Sequence, residues 1–446
     1  MSSFLLKIPS QKELVERLNK LLSYLVSNFD YYQKSFSGLD LNINSLEDVA
    51  NFPFLDKKEK EVWNLVQEVL AKNPPAYFET SGTSGLPFPV IPDLGKQRMQ
   101  EFAEFIAEWL ELKKLSQLIK RAVIALPFEM NPIGFKYFFA LQQLGIMSIP
   151  VGVRTHLCST RKVIEIFDRL KPELLVARPM ETLRYAEAML ELGKEPQKSS
   201  IRKIILTGEI ISEAKFKRIS RLFGNADVYS VYGLTEVDSG GMVSCKNYQY
   251  HLPSKPYLLV EILGDDFKTR ISENDGVGNI VLTNTNINFM PLFRYKTGDY
   301  AVLQTKCNCN QFDTPVVNLL GRREDKILFN RKNIFPVHIE NFLFQNDCIS
   351  SDYQIVMHDG NLSLRVEWLG NYDENAVSKF IKSFKMRIQT ELDLNIDIKI
   401  FKPTSLFNKF GIPKSKAGTL YVFNEVTCNK EMDHNLMLNY SCSNDL

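Results

Sequence analysis

Between residues 95 and 290, short apolar runs alternate with amphipathic stretches, and no other feature limits the fold as tightly. The runs read RAVIALPF, PELLVARP, RKIILTGE and NADVYSVYGLTE, and the intervening stretches include TRKVIEIFDRLK and EAKFKRISRLF. The stretches carry apolar residues three and four apart, the spacing of a helix with one buried stripe. Strands alternating with helices of this length form an α/β domain with largely parallel sheets. Two of the strands run into small-residue loops, LTGE and YGLTE, and ligands of such sheets bind at the carboxyl ends of the strands.

The flanks read differently. Residues 10–72 are helical in pattern, in LVERLNKLLSYLVSNF and again in KKEKEVWNLVQEVLAK. Between them, SLEDVANFPFLDKKE has Ser45 three residues before Asp48, a helix start, and then a proline break. From 257 to 320, YLLVEIL, GNIVLT, YAVLQT and PVVNLLG read as short strands. After Asp325 a smaller α/β segment begins, with SDYQIVMHDGNLSLRVEWLG as a hairpin and ENAVSKFIKSFKMRIQTEL as a helix. Residues 426–446 are polar and aperiodic, the pattern of a flexible tail.

Composition removes several functions. With 54 basic and 52 acidic residues the net charge is +2, so there is no field of the kind a nucleic-acid binder uses. The chain has no run of 18 apolar residues, and its first twenty residues carry charges where a signal peptide needs an apolar stretch. Seven cysteines among 446 residues do not make a disulfide scaffold. A cytoplasmic protein of two or three domains is expected, acting on neither nucleic acid nor membrane.

Residues 80–90 read TSGTSGLPFPV. Glycines let backbone approach a ligand closely, and hydroxyls donate without adding charge, so such a loop can wrap phosphate oxygens. It is equally the composition of an ordinary turn, and it lacks the Lys-Ser/Thr ending of the common P-loop. What lends it meaning is its company: VYGLTEV at 231–237, FRYKTGDY at 293–300 and LLGRREDKILFNRKNIFPVHIE at 319–340.

In that order the motifs resemble the adenylate-forming superfamily of acyl-CoA ligases, adenylation domains and luciferases. The phenylacetate–CoA ligase branch is the most similar. Its features include an N-terminal SLEDVANFPFLDKKE-like region, a loop without lysine after Gly-x-Pro, and a Cys-x-Cys before Gly-Arg, all present here. The resemblance spans roughly residues 20–425. It implies a large N-terminal adenylation domain over 1–324 with parallel-rich sheets and a β-rich subdomain. A small mobile α+β domain over 325–425 would follow, swinging about a hinge near Asp325.

It also implies ATP and Mg²⁺ as cofactors and assigns roles. Thr80, Ser81, Gly82, Thr83, Ser84 and Gly85 would grip the β- and γ-phosphates. Tyr232 and Gly233 would pack against adenine, and Thr235 and Glu236 would meet Mg²⁺ and the α-phosphate, although Glu236 could instead cap a following helix. Asp299, after Gly298 at a strand end, would accept from both ribose hydroxyls unless it merely starts a turn, and Arg322 would be a second nucleotide contact. Gly208 and Glu209 would lie along the acyl and nucleotide pocket. Phe128, Phe135 and Phe138 would wall the acyl site, or be plain core.

Cys245, His251, Cys307 and Cys309 make a Cys₃His set of the type that holds structural zinc, and some members of this branch carry zinc in this region. The Cys-x-Cys spacing is unusual for zinc, and buried thiols are common without metal. His156, His338, His358 and His434 stand alone and are explained by surface or helix positions.

One departure matters. The family ends in a Gly-Lys whose lysine stabilises charge during adenylation. Here GIPKSKAGTLYV, at 411–422, puts Thr419 or Gly418 at that place, with Lys414 and Lys416 nearby. Three readings follow: a relocated lysine, a protein that performs mainly the second half-reaction or a slower ligation, or a degenerate nucleotide-binding relative. The intact nucleotide motifs favour an ATP-dependent ligase that makes acyl-AMP and passes it to a thiol, coenzyme A first, with a carrier-protein thiol or an amine as further acceptors. A nucleotidyl transferase acting on a hydroxyl is a third class. Self-association as a homodimer stays open.

Overall fold

The structure, a computed structural model, describes residues 11–80, 87–109, 118–153, 155, 157–237, 241–253, 255–270, 276–304, 307–309, 311–312, 314–329, 332–358, 361–370, 373–402 and 422–424. It divides into two compact units. One comprises Met1–Arg178, Lys198–Gly208 and Ala226–Leu320; the other comprises Pro179–Gln197, Glu209–Asn225 and Gly321–Leu446.

In the first unit a short antiparallel pair, β1 (Phe78–Glu79) and β2 (Pro89–Val90), precedes the main sheet. Five parallel strands follow: β3 (Arg121–Ala125), β4 (Met147–Pro150), β5 (Leu174–Ala177), β6 (Lys203–Thr207) and β7 (Asp227–Tyr232). They are the four apolar runs of the sequence plus Met147–Pro150 at the sheet edge. β8 (Met242–Ser244) and β9 (Tyr250–His251) add antiparallel pairs. β10 (Leu258–Leu263), β11 (Val277–Asn284), β12 (Tyr295–Gln304) and β13 (Val316–Arg322) supply the short strands expected over 257–320. The described sheet has eleven strands in the order β10-β11-β12-β13-β9-β8-β7-β6-β5-β3-β4.

Residues two apart share a face of a strand, so Ala122, Ile124, Leu174, Val176, Ile205, Tyr229, Val231 and Val243 form one apolar surface. The helices Lys96–Trp109 and Ile133–Gln143 pack together over it, contributing Phe105, Ile106, Trp109, Tyr137 and Leu141. Gly134 permits the fit, because a Cβ there would sit 2.7 Å from the Pro127 carbonyl oxygen.

The N-terminal helix Gln11–Asn28 buries Leu14, Leu18, Leu21, Leu22 and Leu25. The start read at Ser45 is real, with Ser45 and Asp48 forming a capping box, but it opens a 3₁₀ turn, Leu46–Asn51. Arg294 ties this region to the sheet. Its guanidinium forms two bonds of 3.1 Å with buried Glu261 and also donates to the Ala50 and Phe52 carbonyls.

The second unit contains the hairpin β14 (Ile327–Phe329) and β15 (Lys332–Ile334), and a sheet of β16 (Ile349–His358), β17 (Asn361–Trp368), β18 (Ile396–Phe401) and β19 (Val422–Asn424). The expected hairpin is β16–β17, and the expected helix runs Glu374–Leu392. Two helices from earlier in the chain, Pro179–Glu191 and Glu213–Leu222, belong to this unit. A buried polar contact anchors one of them, with Lys215 paired to Glu340 and the Tyr353 hydroxyl donating to the same carboxylate. Among the described residues no helix is long and apolar enough to cross a membrane.

Candidate active site

The carboxyl ends of the parallel strands carry the predicted motifs. β3 ends at Ala125 and reaches Phe128 three residues on; β6 ends at Thr207 before Gly208; β7 ends at Tyr232 before Gly233. Crevices at these ends are open to ligands because the backbone there turns away from the sheet. Gly208 makes its turn at φ +85°, in the left-handed region that glycine enters freely. Gly233 is exposed, and a Cβ on it would meet nothing within 4 Å, so no packing within the chain demands glycine there. A flat ligand above it would.

The core of the site is a buried pair. The Tyr232 hydroxyl donates to Asp299 Oδ2 at 2.7 Å. Sequence reading put Asp299 at a strand end; it lies within β12 instead. There Tyr300 pairs with Asn279 and Lys296 pairs with Val281, so three residues, Thr297, Gly298 and Asp299, stand opposite Ile280 alone. This bulge, with Gly298 at φ +79°, turns Asp299 out of the ladder. The Asp299 amide is held by Thr297 Oγ1 at 3.0 Å. Tyr232 therefore holds the carboxylate while Thr297 holds the backbone amide, and Asp299 does not start a turn.

Glu236 caps no helix, because the next described element after it is β8. Its Oε1 accepts from Tyr295 Oη at 2.9 Å and lies 3.3 Å from Lys57 Nζ. The glutamate is thus buried beside a cation, and the charge is balanced. Neither partner was singled out beforehand, although Tyr295 stands in FRYKTGDY and Lys57 in FLDKKE. Thr235 is half-buried in the turn before it.

Thr80 forms the neck of the hydroxyl-rich loop. Its N–H donates to the Phe88 carbonyl, and its Oγ1 accepts from the Phe88 N–H, both at 2.9 Å. Ser81, Gly82, Thr83, Ser84 and Gly85 lie outside the described residues, as do Lys414 and Lys416. The neck adjoins an aromatic group in which Phe135 meets Phe78 at 6.0 Å and Phe128 at 5.1 Å between ring centroids. Phe128, Phe135 and Phe138 are each half-buried.

Two predicted residues fall in the second unit. Glu209 Oε2 accepts from the Met180 N–H at 3.2 Å, which caps the Pro179–Glu191 helix. Arg322 ends β13, 3.9 Å from Glu324. His338 Nδ1 accepts from the Phe335 N–H and starts the Pro336–Leu343 helix, as a helix position implies. His156 and His434 lie outside the described residues.

The Cys₃His set is assembled. The ligand atoms of Cys245, His251, Cys307 and Cys309 all lie within 4.8 Å of one another. Cys245 Sγ is 3.5 Å from Cys307 Sγ, and Cys309 Sγ is 3.4 Å from His251 Nε2. Zinc–sulfur bonds of about 2.3 Å in a tetrahedron put ligand atoms about 3.8 Å apart, so the set fits zinc. His251 Nδ1 faces the Thr314 carbonyl at 3.1 Å, which keeps the proton on Nδ1 and turns the Nε2 lone pair toward the cysteines. Burial pushes the His251 imidazole down to about 4 and the Cys245 thiol up to about 12, so the histidine is already in ligand form and the thiol must lose a proton to bind.

A last feature has no counterpart in the motifs. Tyr137 is fully buried, and its hydroxyl has no hydrogen-bond partner among the described residues.

Comparison with known proteins follows the same lines. A family described as AMP-binding enzyme C-terminal domain matches residues 332–416. The phenylacetate-coenzyme A ligase of Thermus thermophilus is 25% identical over 377 residues, covering 79% of this chain and 80% of its own length. That of Escherichia coli is 21% identical over 433 residues, covering 92% and 93%. Among solved structures, a 2-hydroxyisobutyryl-CoA ligase in the postadenylation state superposes with a TM-score of 0.78 at 20% identity, covering 98% of this chain and 94% of its own.

Proposed function

This chain belongs to the adenylate-forming ligases, in their phenylacetate–CoA ligase-like branch, and we propose that it activates a carboxylic acid with ATP and passes the acyl group to the thiol of coenzyme A. The observation that carries the reading is the fixed Asp299 carboxylate beside Tyr232, next to the open Gly233, at the carboxyl end of β7. A buried carboxylate held in this way is a bidentate acceptor suited to two ribose hydroxyls, and the uncovered glycine leaves room for the base. Tyr232 then serves through its hydroxyl as well as its ring.

In the first step the substrate carboxylate attacks the α-phosphorus of ATP, and the bond to the pyrophosphate oxygen breaks. Glu236 and Thr235 would supply hard oxygens to hold Mg²⁺, whose charge would offset that of the phosphates. Lys57 covers Glu236 when no cation does. Residues 81–85, closed at the neck by Thr80, wrap the outer phosphates. In the second step the thiolate attacks the acyl carbon and AMP departs. Arg322 contacts the nucleotide, and Lys414 or Lys416 provides the cation that the family draws from Gly-Lys. Phe128, Phe135 and Phe138 wall an aryl or medium-length acyl group. The Cys₃His set would hold a structural zinc ion. The enzyme acts in the cytoplasm, and a carrier-protein thiol is the alternative acceptor.

A displaced lysine is the weak point. Loss of one preorganised donor to transition-state charge costs on the order of 10²–10³ in rate. Pyrophosphate release should therefore be measured with ATP and Mg²⁺ over aryl and aliphatic acids for the wild type, Lys414→Ala and Lys416→Ala. Acid-dependent release that falls by about 10²-fold in one variant supports the ligase with a relocated lysine. ATP binding without release for any acid would establish the degenerate relative instead.

A further inference from the structure

Lys57 Nζ stands 3.3 Å from Glu236 Oε1, and the two side chains are 17% and 6% exposed. Backbone hydrogen bonds fix where the lysine starts. The Leu55 N–H donates to the Arg294 carbonyl at 3.1 Å, and the Lys296 N–H donates to the Leu55 carbonyl at 3.0 Å, so Leu55 lies alongside Tyr295 of β12 as a parallel bridge. Asp56, the next residue, turns to Lys296 Nζ at 3.4 Å, and Lys57 turns to Glu236. The Tyr295 hydroxyl donates to the same Glu236 oxygen, from the strand that carries Asp299 four residues on. Four strand residues span at most about 13 Å, and the α-phosphate of a nucleotide stands off its ribose by part of that distance.

A buried pair of charges is costly to assemble and adds little stability over apolar packing, so its place beside the ribose site points to a use for the charge. We propose that Lys57 is a catalytic residue, the fixed cation that meets the α-phosphate of ATP during adenylation. The inference rests on the ligase reading and on Glu236 facing that phosphate. As the substrate carboxylate adds to the α-phosphorus, negative charge builds on the phosphate oxygens. The bond to pyrophosphate then breaks, and its electron pair leaves on the pyrophosphate oxygen. A point charge already in position stabilises those oxygens without reorganisation. In the resting chain Lys57 is paired with Glu236; with Glu236 given over to Mg²⁺, the ammonium is released to a phosphate oxygen. This chain has no lysine at the place of the family's Gly-Lys, and a cation anchored in the first unit serves the step wherever Lys414 and Lys416 stand.

The test is calorimetric titration of adenosine and of AMP, without Mg²⁺, into the wild type, Lys57→Met, Lys57→Arg and the double variant Lys57→Met with Glu236→Gln. A cation on the α-phosphate acts on AMP and not on adenosine. Lys57→Met should therefore weaken AMP by about 10- to 100-fold and adenosine by less than about two-fold. The double variant strands no charge, which keeps the comparison open should the single variant unfold, and it should stay at least about 10-fold weaker than the wild type for AMP. Pyrophosphate release from ATP and Mg²⁺ with phenylacetate, benzoate or hexanoate should fall by about 10²–10³-fold in Lys57→Met and recover in part in Lys57→Arg. Wild-type AMP affinity in the double variant would reduce Lys57 to a mask for Glu236, and equal losses of adenosine and AMP would make it structural. Either result, or release unchanged in Lys57→Met, overturns the inference and leaves the ligase intact. No release from the wild type with any acid overturns the ligase reading and the catalytic role of Lys57 with it.

Discussion

Asp299 shows how much a single position depends on its backbone. A carboxylate in a regular ladder would point to one face or the other, and only the three-against-one bulge at Ile280 gives it a direction of its own. Asp299→Asn keeps the shape and the Tyr232 contact but removes the charge. Because hydrogen bonds to a charged group contribute about 1.5–3 kcal/mol, kcat/KM for ATP should fall by roughly 10- to 100-fold. The midpoint of thermal unfolding should move little. A large stability loss with unchanged ATP kinetics would make Asp299 a structural residue only.

At the scale of elements, a buried ion pair supports the joint between the N-terminal helical region and the sheet. Arg294, at φ +47°, reaches Glu261 on β10 and the carbonyls of Ala50 and Phe52, with its guanidinium 4.0 Å from the centre of the Phe54 ring. Both charges are buried, so removing one strands the other. Arg294→Met should destabilise the fold by about 3–5 kcal/mol. Adding Glu261→Met should recover much of that loss, because a pair of apolar side chains replaces the pair of charges. Urea unfolding of the two variants checks this, and a double variant no better than the single one would show that the carbonyl contacts of Arg294 dominate.

For the molecule as a whole, the Cys₃His set joins segments far apart in the chain against the apolar cluster over the sheet. Its four ligand atoms come from β9, the segment before it and the 307–309 segment, and His251 lies 4.8 Å ring to ring from Phe312, which meets Trp109 at the same distance. A bound metal would therefore brace the aromatic cluster over the sheet. Atomic absorption should find about one zinc per chain, and chelation should lower Tm by at least about 5 °C. Cys309→Ser should reproduce both losses. A protein purified without zinc, whose Tm is indifferent to chelator, would leave four groups that merely pack.

What the sequence determined by itself is whatever rests on local spacing. The strand runs, the Glu374–Leu392 helix, the β16–β17 hairpin and the order of the ligand motifs were legible because periodicity and small-residue punctuation are written along the chain. Cys245, His251, Cys307 and Cys309 were legible as a Cys₃His set, but not in their geometry, since β9, β8 and β13 must pair before 62 residues of separation become 3.5 Å. The tertiary structure alone decided the rest. Lys57 is ordinary until the fold lays it against Glu236, 179 residues away. Glu209 caps a helix that no motif associates with it. Charge pairing and hydrogen-bond satisfaction are properties of neighbours in space, and a chain settles them only once it has folded.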